Sequence, residues 1–181
     1  MMRKSLLLVV VCALAINVAY SQTRSGEKAR QVQSGEVVPF GESLFVRVMK
    51  STKPFAGVKV KGEPVVVVLE MVAGKKGATL FYKLSTNPAT TEVYLLSGAQ
   101  KIAPSAVIED FPSWGTDNDK EVDTLDPKET MGGVTLTFQQ KGSIALLFDV
   151  PLEDAKTPKK LSVAMRMVQP KDEQRSFVVS L

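Results

Sequence analysis

From Glu36 onward the sequence is cut into short apolar runs by Gly, Pro, Asn and Asp, and no window of twelve or more residues holds a clean helical period. A chain punctuated at intervals of about a dozen residues cannot bury its apolar side chains along long helices. It must stack short strands, as sandwiches and barrels do. The runs are Ser43 to Met49, Pro64 to Val72, Ala78 to Leu84, Glu92 to Leu96, Ala106 to Ile108, Val134 to Phe138 and Ser176 to Leu181, with two more inside Gly142 to Val168. Leu44, Val46 and Val48 alternate with Phe45, Arg47 and Met49, the period of a half-buried strand. Val65 to Leu69 is a continuous β-branched run, which predicts a central strand covered on both faces. One turn of helix is possible in Lys120 to Lys128.

Within Gly142 to Val168 the runs Ser143 to Val150 and Leu161 to Val168 flank a polar connection bounded by Pro151 and Pro158, and this order reads as a hairpin. The expected fold is all-β, an antiparallel immunoglobulin-like β-sandwich over residues 36–181. Its core is expected to include Val46, Val66, Val68, Leu80, Leu136, Ile144, Leu146, Phe148, Val163 and Met165.

The N-terminus has another character. Arg3 and Lys4 precede the apolar run Leu6 to Ile16, and Ala19-Tyr20-Ser21 is a small-x-small site, the order of a cleaved secretory signal peptide over residues 1–21. Its apolar run is shorter than the roughly 20 residues needed to span a bilayer. The expected mature chain begins at Gln22, is exported to a periplasm or the exterior, and has no transmembrane span. Residues 22–35 (QTRSGEKARQVQSG) are polar and expected to be a flexible segment.

Cleavage removes Cys12, the only cysteine, so the domain would be held by its core without a disulfide. It also lowers the formal charge from +4 to +2, leaving 21 basic against 19 acidic residues, which gives no electrostatic case for nucleic acid or an anionic membrane. With no histidine anywhere, Ser-His-Asp and Cys-His catalysis and the usual zinc sites cannot be assembled. No GxGxxG, GxxxxGKS/T or SxxK motif occurs. Paired carboxylates for glycoside hydrolysis remain available.

Those carboxylates gather in an acidic insertion at 109–133, whose core is EDFPSWGTDNDKEVDTLDPKE. Asp117, Asp119, Glu121 and Asp123 fall at every second position, as in a loop that wraps calcium in oxygen ligands, although Val122 and Lys128 stand where an EF-type loop has glycine and glutamate. The plainer reading is a solvated loop whose charge keeps it off the sheet edges; calcium is the one ion the pattern would take. Phe111 and Trp114 in the same insertion could stack on a sugar or a partner, or plug the insertion onto the sandwich; the plug is favoured because burying aromatics offsets the ordering of a long loop. Met165 and Met167, two apart on one strand face, are read as core fillers in preference to thioether ligands for Cu(I).

Three stretches, GKKGATLFYKLS, EVYLLSGAQKIAP and VTLTFQQKGSIALLFDVPLEDAKTPKKLSV with its Phe148-Asp149-Val150-Pro151 ending, resemble the extracytoplasmic immunoglobulin-like domains of bacterial lipoproteins and secreted proteins, the DUF4352 or telokin-like group. The resemblance covers about half the mature chain. It implies a β-sandwich without catalytic residues that serves as a binding or accessory module, its partner an envelope protein or a glycan. The alternatives are a structural component of the envelope or matrix and a carboxylate-based hydrolase.

Overall fold

The β-branched run at Val65 sets the centre of one sheet. In the computed structural model, which describes residues 29–53, 55–111, 122–128 and 130–181, it lies in the strand Glu63–Ala73, paired along its length with Leu44–Ser51 on one side and Lys141–Val150 on the other. Numbered in chain order, the strands are β1 (Arg30–Gln33), β2 (Val37–Phe40), β3 (Leu44–Ser51), β4 (Glu63–Ala73), β5 (Ala78–Leu84), β6 (Val93–Ser97), β7 (Gln100–Ile102), β8 (Pro104–Asp110), β9 (Asp123–Thr124), β10 (Thr130–Leu136), β11 (Lys141–Val150), β12 (Lys159–Gln169) and β13 (Glu173–Ser180). One sheet runs β2-β3-β4-β11-β8-β9. The other runs β1-β13-β12-β5-β10, with β6 also on β12 and β7 on β6. Among the described residues every pair is antiparallel except β1 with β13, which is parallel.

The two sheets pack face to face as a β-sandwich. Its interior holds Val46, Val65, Val67, Leu69 and Met71 from one sheet and Leu80, Leu136, Val163, Met165 and Phe177 from the other. Alternation decides which residues enter. On β11, Ile144, Leu146, Phe148 and Val150 face in, while Ala145 and Leu147 face out. A second, smaller cluster covers that outer face: Phe55 from the β3–β4 connection packs on Val66, Ala106 and Leu147, with Val58, Val60 and Ile108 around it. The central strand is therefore covered on both faces where Phe55 lies over it.

The structure corrects the sequence reading at several points. β11 and β12 are not a hairpin. They lie in different sheets, β11 between β4 and β8 and β12 between β13 and β5 or β6, and the link 151–158 carries the chain across the sandwich through the 3-10 turn Leu152–Asp154. Val66 belongs to the outer cluster and Val68 is half-buried, because the inward phase of β4 is the odd-numbered one, Val65, Val67, Leu69 and Met71. The remaining eight expected core residues are all in the main interior. Within the polar stretch 22–35, Arg30–Gln33 is a strand whose Val32 is buried, since β13 offers it a partner. The acidic insertion is narrower than 109–133, because β8 runs to Asp110 and β10 starts at Thr130. Residues 122–128 contain no helix. The stretch 1–21 lies outside the described residues.

Candidate functional site

One interior polar contact joins the two sheets, between β8 of one and β5 of the other. β8 sends Val107 and Glu109 inward in alternate register, and Phe111, just past its end, continues the same phase. A carboxylate aimed between two sheets needs a donor, and Tyr82 on β5 supplies it: its buried hydroxyl donates to Glu109 Oε1 across the sandwich. The phenol fits because position 132 of β10 is glycine, where any Cβ would overlap the Tyr82 ring. Burial first, then the hydrogen bond to Glu109 and its negative charge, push the Tyr82 phenol well above its ordinary value, so it stays protonated and acts as a fixed donor. Phe111 is 4% exposed and rests on Gly142 of β11, again where a Cβ would collide with the ring.

A second polar group sits where the chain changes sheets. Lys159 opens β12 with only 8% of its surface exposed. Its Nζ donates to the carbonyls of Asp154 (3.0 Å), Ala155 (2.8 Å) and Thr157 (2.9 Å), and Glu63 lies 3.9 Å away. An ammonium has three donors, and all three are used. Nearby, Asp149 accepts from the backbone N–H groups of Lys61 (3.0 Å) and Gly62 (2.7 Å), tying the β3–β4 connection to the end of β11. Lys61, Gly62, Asp149, Pro151, Leu152 and Glu153 line a shallow open depression there, and Leu152 is largely exposed.

The predicted site residues fare differently. Phe111 is not an exposed stacking residue; it is part of the main core, as expected of a plug. Trp114, Asp117, Asp119 and Glu121 lie outside the described residues. Asp123 is exposed on the two-residue strand β9, paired with Val107. Among the described residues no group of three or more acidic, histidine or cysteine side chains could hold a metal. Met71, Met165 and Met167 are buried in the main core. Sequence reasoning did not find Tyr82, and it took Glu109 only as the start of an acidic loop. The available signal was a glycine pair, Gly132-Gly133, inside an otherwise strand-like run, since glycine within a strand marks a close approach by another group.

No family model and no curated protein matches the chain. Among solved structures it is similar to an uncharacterized β-sandwich protein from Clostridium difficile 630, with 10% identity and a TM-score of 0.43 over 89% of this chain and 99% of that one. A DUF4466 family protein from Parabacteroides merdae is similar at 11% identity and a TM-score of 0.31, over 75% of this chain and 43% of that one. A family 123 glycoside hydrolase from Clostridium perfringens is similar at 7% identity and a TM-score of 0.32, over 67% of this chain and 22% of that one. The chain itself shows its class directly: two β-sheets packed face to face as a sandwich.

Proposed function

We propose that the protein is an exported, non-catalytic β-sandwich that serves as a binding or accessory module outside the cytoplasm, its partner an envelope protein or a glycan. The observation that carries this reading is the state of three polar groups that join sheets and loops, while Ser43 Oγ, Glu63 Oε2 and Ser97 Oγ are buried without a hydrogen-bond partner among the described residues. The Tyr82 hydroxyl is spent on Glu109, Lys159 spends its three donors on carbonyls, and Asp149 is held by two backbone N–H groups. Groups closed on each other in this way act as struts between sheets and loops, and a rigid frame of that kind presents its surface and loops for recognition. The order of charged, apolar and small residues in 1–21 and the resemblance to extracytoplasmic immunoglobulin-like domains support export and an accessory role.

Two measurements test it. N-terminal sequencing of the exported protein should begin at Gln22; a start at Met1, or recovery from the cytoplasm alone, removes the export half. Hydrogen exchange of the full chain with and without an envelope extract should reveal one protected surface footprint. Glycan hydrolysis by the purified chain that disappears in Glu109→Gln would replace the binding reading with a carboxylate enzyme.

A further inference from the structure

Sheet edges are ready-made templates for another strand, and proteins normally blunt them with charge, proline or brevity. Most of the described edges here are blunted. β1 has four residues and carries Arg30, β2 contains Pro39, β7 has three residues with Lys101 among them, and β9 has two, one of them Asp123. Where β9 leaves β8 uncovered, β8 carries Glu109 and Asp110. β10 is different. Among the described strands it is the last of its sheet, beyond β5; it runs seven residues as TMGGVTL and has neither a charge nor a proline. On its outer face Met131 is 60% exposed and Phe81, opposite Gly133 on β5, is 38% exposed, with Thr79 and Lys83 on either side of Phe81.

We propose that β10 is a homodimerisation edge, pairing antiparallel with β10 of a second copy about a two-fold axis at Gly133, so that the two sheets become one. Size and charge together select a second copy as the occupant. Met131, Gly133 and Thr135 share the outer face, so a two-fold at Gly133 sets the long Met131 against the short Thr135 of the other copy on both sides of the axis. At the axis two glycines meet. Each Phe81 ring already leans over its own Gly133, 2.8 to 2.9 Å from where a Cβ would stand, and the paired glycines leave room for both rings. An uncharged strand faces its own copy without like-charge cost. Lys83, one strand inward and opposite Met131, would stand three strand spacings across and four residues along from its counterpart, about 20 Å away and beyond the screening length of about 8 Å at physiological salt.

The register makes the proposal testable by charge. Sedimentation equilibrium of the concentrated chain at physiological salt should show a dimer, as expected of a weak contact of less than about 1,200 Å². Met131→Lys with Thr135→Lys sets lysine against lysine at both exposed cross-strand pairs, and this variant should be monomeric. Met131→Glu with Thr135→Lys sets glutamate against lysine at the same two pairs, and it should recover the dimer. Both variants lose the same Thr135–Thr79 hydroxyl contact and change only exposed side chains, so a circular dichroism melt separates failure to fold from failure to pair. A monomeric wild-type chain overturns the proposal. So does a Lys/Lys variant that remains dimeric, or a folded Glu/Lys variant no more dimeric than the Lys/Lys one.

Discussion

The links on either side of β12 look alike in the sequence, both polar and both containing proline, but they do opposite things. The link 170–172 turns β12 back onto β13 in a hairpin whose register runs from Met167 opposite Glu173 to Lys160 opposite Ser180. The link 151–158 does not pair the strands it joins. It carries the chain from the centre of one sheet to the centre of the other, and its own backbone bonds, Asp154 N to Pro151 O and Thr157 N to Asp154 O among them, fold it into a compact turn. The short link lets neighbouring strands bond to each other. The longer one hands that choice to the core, so β11 is placed by the side chains that Phe148 and Leu146 pack against and not by its sequence neighbour β12.

If that contrast is right, the largest loss should come from the core and not from either link. Phe148→Ala should lower unfolding free energy by about 3–5 kcal/mol, read by denaturant titration, because the ring is fully buried between the sheets. Next comes the second contact that joins the sheets. Tyr82→Phe should cost about 1–3 kcal/mol at neutral pH by leaving Glu109 without its donor. It also carries a pH signature. With the folded phenol raised above its ordinary 10, folded and unfolded chains both keep the proton below that pH, while above it the unfolded chain releases the proton first. Wild-type stability should therefore fall as pH rises past 10, and the gap between wild type and Tyr82→Phe should narrow there in paired urea titrations.

Smaller effects separate the links themselves. Lys159→Met removes the donors that gather the carbonyls of 154, 155 and 157, and should cost about 1 kcal/mol in thermal or chemical unfolding, since water can reach part of that turn. Doubling the link 151–158 with a Gly/Ser insertion after Lys156 should cost only about 0.6 kcal/mol, because closure entropy grows slowly with length. A loss of several kcal/mol would mean that the link, and not the core, positions β11. Across the hairpin, Arg166 and Asp172 form an exposed bidentate pair at 2.7 and 2.9 Å, which raises the guanidinium above its ordinary value through the hydrogen bond to Asp172 and its charge. Asp172→Asn should leave the melting temperature essentially unchanged, because water and salt screen an exposed pair.

These contrasts show what could be read from the sequence. The class came from punctuation and alternation, which are local, and eight of the ten expected core residues came from the same pattern. Val68 failed because a run of four valines has no alternation to give its phase; the inward positions are Val65, Val67, Leu69 and Met71, and Phe55 from a distant loop covers Val66 on the outer face. The β11–β12 hairpin failed because adjacency in sequence is only a prior for pairing, and the link length permits a crossing. Val32 was hidden in a polar stretch whose partner, β13, lies at the far end of the chain. At the candidate site, Glu109 looked like loop charge because its phenol partner is 27 residues away on the other sheet.

The parallel pairing of β1 with β13 has a mechanical consequence. Arg30 lies beside Phe177 and Gln33 beside Ser180, so the chain enters at one end of this pair and leaves at the other. A pull applied between residues 30 and 181 runs along both strands in opposite senses and loads their register pairs together, in shear. Peeling them one at a time would require a different direction of force. A domain joined to its surroundings through those two points would resist extension by this strand pair first.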